Sequence, residues 1–256
     1  FADKSFSNEI KMSGVNSINW ARIIAQSVYY FYSYFLIEEN NQPVNFSVPT
    51  GNFGDVYAGY LSKKMGLPIN KLIVATNQND ILHRAIASGT YEAEKVIETI
   101  SPSMDIQIAS NFERLIYDLN NFDDKKTIKA MNDIKERGKY TINKDSLDKI
   151  NNDFLSSSMS EEEVLKTIKL VYDKFNIVLD PHSAIGYGAF DKINLKGKNV
   201  VLATAHPCKF PSAVKQAISF ESKLPDELLY ILNEKENYDT IENNLDKIKQ
   251  YIKERI

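Results

Sequence analysis

The chain has 256 residues, of which 43% are hydrophobic and 25% charged, and its net charge is −3 at pH 7. This composition is that of a soluble globular protein with a sizeable core, and it excludes an extensively disordered chain. The slightly acidic balance gives no sign of a nucleic-acid-binding surface or a basic membrane-binding face, and the single cysteine, Cys208, permits no internal disulfide. We therefore expect a cytoplasmic protein whose partners are small molecules.

The first long helical pattern runs from Val15 to Glu39. Its apolar residues recur at intervals of three and four, and Asn16 or Ser17 can cap its start. The apolar block inside it, VYYFYSYFLI, is too short and too rich in tyrosine to span a bilayer. Because the segment is apolar almost all round, we predict a buried core helix.

A strand, a helix and a second strand follow. PVNFSVP predicts a short buried strand, and a loop that contains Gly51 and Gly54 leads from it into the helical segment DVYAGYLSKKM. KLIVATN predicts the next strand. This spacing indicates a βαβ unit, and hence the α/β fold class with a parallel sheet covered by helices on both faces.

The rest of the chain alternates in character. NDILHRAIASGTY predicts a helix, and DIQIA predicts a short strand before a further helix. Residues 120–160 are rich in lysine and aspartate, and we predict a polar helical insert on the surface there. VVLATAHP predicts another strand and turn, and 221–256 a charged helical tail. Residues 1–119 and 161–220 then make up the α/β region.

The loop from Thr50 to Asp55 has the features of an anion-binding site. A strand end followed by a helix start directs several backbone N–H groups at one point, where the helix dipole adds about half a positive charge. Gly51 and Gly54 let the backbone approach an anion closely, and Asn52 can add a side-chain donor. A plain βα turn is the alternative, and it is the more common explanation of two glycines alone.

Nucleotide motifs do not fit this loop. Asp55 and Val56 follow Gly54, where a P-loop requires a lysine and a serine or threonine, and Tyr57 stands where the dinucleotide-binding pattern requires a third glycine. The G-x-x-G loop of an RNA-binding KH domain lies between helices in basic surroundings, whereas this loop follows a strand. The phosphate of a sugar or of a coenzyme remains.

A second candidate, Thr204, follows the strand VVLA. Ligands of open α/β sheets bind at the carboxyl ends of the strands, so we expect Thr204 to lie at the same edge as the glycine loop. Taken alone, Thr204 is slightly better explained as a helix cap than as a ligand-binding residue. The histidines are expected to be structural, and Asp180, His182 and Ser183 are too close in sequence to orient one another as a catalytic triad.

Five blocks in a fixed order resemble threonine synthase, in the branch typified by the fungal and enterobacterial enzymes. They span Val15 to about Val214 and read VNSINWARIIAQSVYYFYSYF, VPTGNFGDVYAGYLSKKMGLPINKLIVATNQNDIL, SPSMDIQIASNFERLIYDL, DPHSAIG and LATAHPCKFPSAV. The resemblance implies a pyridoxal-phosphate-dependent enzyme of fold type II, the fold of the tryptophan synthase β-subunit. Its reaction would convert O-phosphohomoserine and water into threonine and phosphate.

The resemblance also implies roles for individual residues. Thr204 would form a hydrogen bond with the pyridine nitrogen of the coenzyme. A neutral hydroxyl at that position suits elimination and replacement rather than transamination. The coenzyme phosphate would be held by five consecutive residues, Gly51, Asn52, Phe53, Gly54 and Asp55.

The Schiff-base lysine of this family stands in a Phe-Lys-Asp context that the chain does not contain. The chain also opens on FADKSFSNEI, without an initiator methionine. We therefore expect the C-terminal portion of a threonine synthase, inactive alone, whose partner is the missing N-terminal portion upstream of Phe1. The alternatives are a non-catalytic module that binds a phosphorylated metabolite and another fold type II enzyme such as threonine dehydratase.

Overall fold

The structure, a computed structural model, describes residues 2–14 and 16–256. Phe1 lies outside the described residues, and so does Val15, at which the sequence pattern begins the first long helix. The chain divides into two compact units, Ser17–Lys223 and a smaller one made of Phe1–Asn16 with Leu224–Ile256.

The larger unit contains the six strands of the described residues and most of the helices. In chain order, the helices of both units are α1 (Lys4–Glu9), α2 (Trp20–Ile37), α3 (Gly54–Lys64), α4 (Ile81–Ser88), α5 (Phe112–Leu119), α6 (Asp124–Arg137), α7 (Lys144–Asp153), α8 (Glu161–Phe175), α9 (Pro181–Ile193), α10 (Pro211–Ile218) and α11 (Leu245–Lys253). The helices α1 and α11 belong to the smaller unit. The strands are β1 (Val44–Pro49), β2 (Ile69–Thr76), β3 (Thr90–Glu92), β4 (Lys139–Thr141), β5 (Phe154–Ser158) and β6 (Lys198–Val201).

A four-stranded sheet with the order β5-β2-β1-β6 organises this unit. All three pairings in it are parallel, which confirms the predicted α/β class with a parallel sheet. In the register of β1 and β6, Ser47 lies opposite Val201, so these two strands end at the same edge. Because β1 and β6 pair in parallel, the residues that follow them are brought together. β3 and β4 form a separate antiparallel pair.

The two faces of the sheet carry separate cores, as the alternation of side chains along a strand requires. On β2, Leu72 and Val74 are fully buried in the core that also contains residues of α2 and α3. Ile73 and Ala75 are fully buried in the core that contains residues of α8 and α9. β2 is therefore apolar on both faces from Leu72 to Ala75, which explains its continuous hydrophobic sequence. In β1 only one face is apolar, and the other carries the buried polar residues Asn45 and Ser47.

The helix predicted to begin at Val15 is present, but it begins at Trp20 and its burial differs from the prediction. Asn19 is the cap, and its Oδ1 accepts the Ala21 N–H at 2.9 Å. One face is buried, whereas Tyr32 and Phe35 on the opposite face are 65% and 67% exposed. The prediction of burial all round is wrong, because α3 and the core around it cover only one face of α2.

The buried face of α2 packs very closely on α3. A Cβ atom at Gly59 of α3 would lie 2.5 Å from the ring of Tyr30, so glycine is required at this crossing. Tyr30 is fully buried, and its hydroxyl lies 2.8 Å from the backbone oxygen of Asp55 at the start of α3. The packing of α2 therefore sets the position of the first turn of α3.

Part of the segment 120–160, predicted as a surface insert, lies in the core. β5 pairs with β2 in the central sheet, and Phe154 and Ile150 are fully buried. α6 and α7 agree with the predicted short helices. The polar composition conceals β5, because only a few of its neighbouring residues are apolar and these few carry the packing.

The predicted strand DIQIA is wrong. A 3₁₀ turn at Pro102–Met104 precedes these residues, and they belong to no strand. The carboxylate of Asp105 accepts hydrogen bonds from the side chains of Asn77, Asn79 and Thr99 at 2.6–3.0 Å. Side-chain hydrogen bonds therefore hold this loop in place of strand pairing.

The predicted helical tail is helical only in part. Residues 221–256 contain a 3₁₀ segment at Asp226–Asn233 and the helix α11. None of the helices in the described part of the chain combines the length and the apolar character needed to cross a membrane. The division of the chain into domains stays a prediction.

Candidate functional site

The residues predicted to form the site lie at the carboxyl edge of the parallel sheet. The loop Gly51–Asp55 follows β1, and Thr204 follows β6. The loop lines a cleft of about 200 Å³, and Thr204 lines a second cleft of about 560 Å³. The two clefts adjoin, because they share the lining residues Arg22, Gln26, Pro49 and Asp55.

The loop presents backbone donors that the protein itself does not use. Phe53 has a left-handed conformation, with φ of 63°, and turns the chain into α3. Within the described part of the chain, the backbone N–H groups of residues 51–55 form no hydrogen bond. Free N–H groups at the start of a helix are the arrangement that binds a phosphate or carboxylate.

Phe53 contributes its backbone to the loop, because its side chain lies in the core. The ring is 1% exposed and packs on Phe112 and Phe154, with centroid distances of 5.1 Å and 5.8 Å. A left-handed conformation costs a residue with a side chain about 1 kcal/mol. Burial of the ring between two other aromatic side chains offsets that cost and fixes the shape of the loop.

The two glycines of the loop are needed to different degrees. A Cβ atom at Gly51 would lie 2.7 Å from the backbone oxygen of Ser103, which cannot move without its loop. A Cβ atom at Gly54 would lie 3.2 Å from the side-chain nitrogen of Asn111. Close packing of two backbones, rather than a positive φ, therefore requires glycine at position 51.

Asn111 holds the loop from behind. Its backbone N–H and its side-chain Nδ2 both donate to the backbone oxygen of Asn52, at 3.0 Å and 3.1 Å. The same Nδ2 donates to the backbone oxygen of Ser17 at 2.8 Å, and Ser110 Oγ donates to Asn52 Oδ1 at 3.2 Å. Asn111 is fully buried. These bonds set the loop before any ligand binds, which lowers the entropy lost on binding.

Asp55 is an acidic residue at the edge of both clefts. Burial raises the pKa of its carboxyl to about 6, although a hydrogen bond from Tyr30 works in the opposite direction. Burial and the nearby Asp55 raise the pKa of Tyr30 well above its ordinary value, so its hydroxyl stays protonated and donates. The charge of Asp55 therefore changes close to neutral pH, next to the loop.

A buried histidine holds the wall of the cleft opposite Gly51. The N–H of Ser103 donates to His182 Nε2 at 3.3 Å, and His182 Nδ1 lies 2.9 Å from Asp180 Oδ1. Nε2 accepts, so the proton lies on Nδ1 and the ring is neutral. These contacts agree with the structural role predicted for His182.

Asp180 and Ser183 connect the start of α9 to Thr204. Asp180 caps α9 by accepting the backbone N–H groups of His182 and Ser183. Ser183 Oγ donates to Asp180 Oδ2 and accepts the Thr204 N–H at 3.2 Å. His182 and Ser183 each contact the carboxylate and not each other, so they do not form a catalytic triad, as predicted.

Burial alone would raise the pKa of Asp180. Hydrogen bonds from the His182 ring, the Ser183 hydroxyl and the His182 backbone outweigh burial and lower it. The side chain is therefore an ionised carboxylate at neutral pH, although it is only 1% exposed.

Two residues of α2, Arg22 and Gln26, line both clefts, and no sequence pattern singled them out. They are four positions apart and therefore lie on one face of the helix. The available signal was an arginine inside an otherwise apolar helix. Arg22 brings a positive charge that suits an anionic ligand.

The remaining histidines have local partners. His83 Nδ1 lies 2.9 Å from Ser156 Oγ, and His206 Nδ1 accepts the Cys208 N–H at 3.2 Å. In the described part of the chain, no group of three or more His, Cys, Asp and Glu residues is arranged to hold a metal ion.

Comparison with known sequences connects this site to one family. A family model described as "Threonine synthase, C-terminal" matches residues 183–252. Threonine synthase of Saccharomyces cerevisiae is 42% identical over 285 residues, which cover 100% of this chain and 55% of that protein. The Pseudomonas aeruginosa threonine synthase is 42% identical over 255 residues, covering 98% and 54%. The chain thus spans about half the length of the curated relatives it matches.

Solved structures agree. The PLP-bound threonine synthase from Brucella melitensis is 45% identical with a TM-score of 0.95, over 99% of this chain and 55% of that one. The yeast threonine synthase is 42% identical with a TM-score of 0.86, over 94% and 53%. Maize serine racemase, at 14% identity and a TM-score of 0.51 over 80% and 56%, shares the fold alone. The fold is that of fold type II enzymes, and the chain belongs to the threonine synthase family.

Proposed function

We propose that this chain is the C-terminal portion of a pyridoxal-phosphate-dependent threonine synthase and forms the phosphate-binding side of its active site. The complete enzyme converts O-phosphohomoserine and water into threonine and phosphate, the last step of threonine biosynthesis. The observation that carries the proposal is the preformed loop at residues 51–55, whose free N–H groups lie at the carboxyl edge of the sheet, in a cleft that adjoins the cleft lined by Thr204.

The residues present fit the coenzyme. The N–H groups of residues 51–55 would hold its phosphate, and a Cβ atom at Gly51 would disturb the packing of this loop against Ser103. The larger adjoining cleft, with Thr204 in its wall, accommodates the pyridine ring. Arg22 belongs to both clefts and supplies positive charge for the anionic groups of coenzyme and substrate.

Pyridoxal phosphate, when bound, supplies the electron sink for γ-elimination and for the subsequent addition of water. The residues of this chain bind and orient it. Thr204 would hold the ring nitrogen by a hydrogen bond from its hydroxyl, and a neutral hydroxyl would leave that nitrogen without a proton. This limits the electron sink and favours elimination over transamination.

The lysine that anchors the coenzyme comes from the N-terminal portion of the complete enzyme. In the described part of the chain, the residues that line the two clefts include Arg22 but no lysine. The isolated chain therefore does not turn over O-phosphohomoserine.

The exposed face of α2 is the surface on which the N-terminal portion docks. Tyr29 and Tyr32 on this face are 54% and 65% exposed and also line the larger cleft. Phe35 and Leu36 continue the same apolar surface and are each about two thirds exposed, at 67% and 66%. An exposed apolar surface of this kind marks a contact site for another protein segment, and here it lies beside the ring-binding cleft.

Neither alternative function is favoured. A phosphometabolite-binding module or a threonine dehydratase does not account for relatives that are all named threonine synthase at 37–42% identity over 86–100% of the chain.

The proposal is tested by phosphate release from O-phosphohomoserine. We expect none from the isolated chain with pyridoxal phosphate, and release when the chain is co-expressed with the N-terminal portion of the Saccharomyces cerevisiae enzyme. Release by the isolated chain contradicts the assignment of the lysine to the other portion. If the combined protein binds pyridoxal phosphate but releases no phosphate, the assigned activity is wrong; if it binds none, the coenzyme assignment is wrong.

A further inference from the structure

A single buried carboxylate lies behind both clefts. Asp180 accepts two backbone bonds as the cap of α9, from His182 N–H at 2.9 Å and Ser183 N–H at 3.3 Å. It also accepts from two side chains, the ring of His182 and the hydroxyl of Ser183. Four donors occupy the acceptor positions of one ionised carboxylate, and hydrogen bonds to an ionised group are stronger than neutral ones.

The first side chain leads to the phosphate side of the site. His182 is 4% exposed, and its ring packs on Phe210 at a centroid distance of 4.7 Å. With its proton directed at Asp180, the ring accepts the N–H of Ser103 at 3.3 Å. Ser103 in turn packs against Gly51, where the space for a Cβ atom is absent. The carboxylate is therefore connected through His182 to Ser103, which forms the wall opposite the loop.

The second side chain leads to the ring side of the site. Ser183 is 2% exposed, and its hydroxyl uses its proton on Asp180. Its oxygen then accepts the N–H of Thr204 at 3.2 Å. This bond fixes the backbone of Thr204 although the residue itself is exposed.

We propose that Asp180 is a positioning residue that sets the two sides of the site relative to each other. Through His182 it holds Ser103 against the phosphate loop, and through Ser183 it holds Thr204 beside the ring-binding cleft. The inference deepens the proposed function and rests on it for the identity of the ligand. It requires no chemistry from Asp180, His182 or Ser183, and none of the three lines either cleft.

The simpler explanation is that Asp180 only caps α9. The two explanations separate experimentally, because the cap uses backbone N–H groups and the positioning uses two side chains. Ser183→Ala and His182→Phe each remove one side-chain connection and keep the cap. His182→Phe also keeps the aromatic contact with Phe210, and Ser183→Thr keeps the hydroxyl as a matched control.

The test measures hydrogen exchange at the amides of Ser103 and Thr204 in the 256-residue chain. Loss of one hydrogen bond predicts about tenfold faster exchange at the amide that loses its acceptor. Ser183→Ala should accelerate exchange at the Thr204 amide and leave exchange at the Ser103 amide unchanged. His182→Phe should accelerate exchange at Ser103 and leave Thr204 unchanged. In Ser183→Thr, exchange at Thr204 should be as slow as in the unmodified chain. Unchanged exchange at the affected amide overturns the proposal, and so does equal acceleration at both amides in both variants.

A second readout separates this inference from the proposed function. Titration with inorganic phosphate should show weaker binding in His182→Phe, about threefold, and no change in Ser183→Ala, because only the first connection reaches the phosphate loop. Equal weakening in both variants overturns the separation of the two connections. If the unmodified chain binds no phosphate while the exchange pattern is as expected, the proposed function fails and the positioning role of Asp180 stands.

Discussion

The phosphate loop and the Thr204 turn lie on adjoining clefts but are held in different ways. The loop is fixed from inside, since Phe53 is 1% exposed and the fully buried Asn111 binds the backbone oxygen of Asn52 through two donors. Thr204 is exposed, and its N–H donates to Ser183. The difference shows that the loop is fixed by the core of this chain, whereas Thr204 is held through its backbone and its side chain stays exposed.

The largest effect on phosphate binding is expected from a change in the loop at residues 51–55. Gly51→Val places a side chain where the backbone oxygen of Ser103 already lies, so the loop and its neighbour must separate. We expect phosphate binding to be lost and the free energy of unfolding to fall by about 1–3 kcal/mol. Calorimetric titration with phosphate and urea denaturation measure both effects.

Gly54→Ala is the matched control in the same loop. Its Cβ atom meets the side chain of Asn111 at 3.2 Å rather than a backbone, so a small shift accommodates it. Binding should weaken far less than in Gly51→Val. If the two variants behave alike, backbone packing at position 51 is not what shapes the loop.

The next largest effect is expected from the loss of the Asn111 side chain, which binds the loop from inside the protein. Asn111→Ala removes three hydrogen bonds and leaves the backbone oxygen of Ser17 without this donor. Unfolding free energy should fall by about 2 kcal/mol, because buried polar groups lose their partners. Phosphate affinity should fall with it, since the loop is no longer fixed before binding. Stability and affinity that stay at their original values would show that the loop does not need this support.

A smaller effect is expected from the charge beside the loop. The pKa of Asp55 is raised to about 6, so the carboxyl is mostly ionised at pH 7.5 and mostly protonated at pH 5. Ionisation repels a bound phosphate, and Asp55→Asn should therefore bind phosphate about threefold to tenfold more tightly than the unmodified chain at pH 7.5. At pH 5 the two should bind equally, and this comparison cancels the titration of phosphate itself.

The raised pKa of Asp55 also determines how the free energy of unfolding depends on pH. The folded state holds the proton of Asp55 more tightly than the unfolded state, whose value is near 3.8. The stabilisation from Asp55 is thus fully present below about pH 4 and is lost as the pH rises through about 6. An Asp55→Asn variant that gains stability relative to the unmodified chain as the pH falls would contradict the shift.

The smallest effects on phosphate binding are expected on the Thr204 side of the site. Thr204→Ala should leave the affinity for inorganic phosphate unchanged and weaken the binding of pyridoxine 5′-phosphate by about threefold, because one hydrogen bond to the ring is lost.

A variant with Tyr32→Ser and Phe35→Ser should bind phosphate normally and self-associate less, since both side chains are exposed. Loss of inorganic phosphate binding in either variant would show that the two sides are not separate.

Some of this arrangement follows from the sequence and some does not. The βαβ unit and the edge of the sheet could be predicted, because strand alternation and glycine placement are local signals. Arg22 and the Asp180 connections could not, since they depend on which distant elements meet. The polar residues around β5 hide it in the sequence. The exposed face of α2 cannot be recognised from the sequence, because an apolar helix carries no sign of which face is covered.

The most direct test of the central claim is where a coenzyme analogue binds. Pyridoxine 5′-phosphate lacks the aldehyde and cannot react with surface lysines, and pyridoxine also lacks the phosphate. In ¹⁵N–¹H spectra of the 256-residue chain, we expect pyridoxine 5′-phosphate and inorganic phosphate to shift the amide signals of residues 51–55, and pyridoxine to leave them in place. Shifts that occur elsewhere, or that pyridoxine produces equally, would contradict the assignment of this loop as the coenzyme-phosphate site.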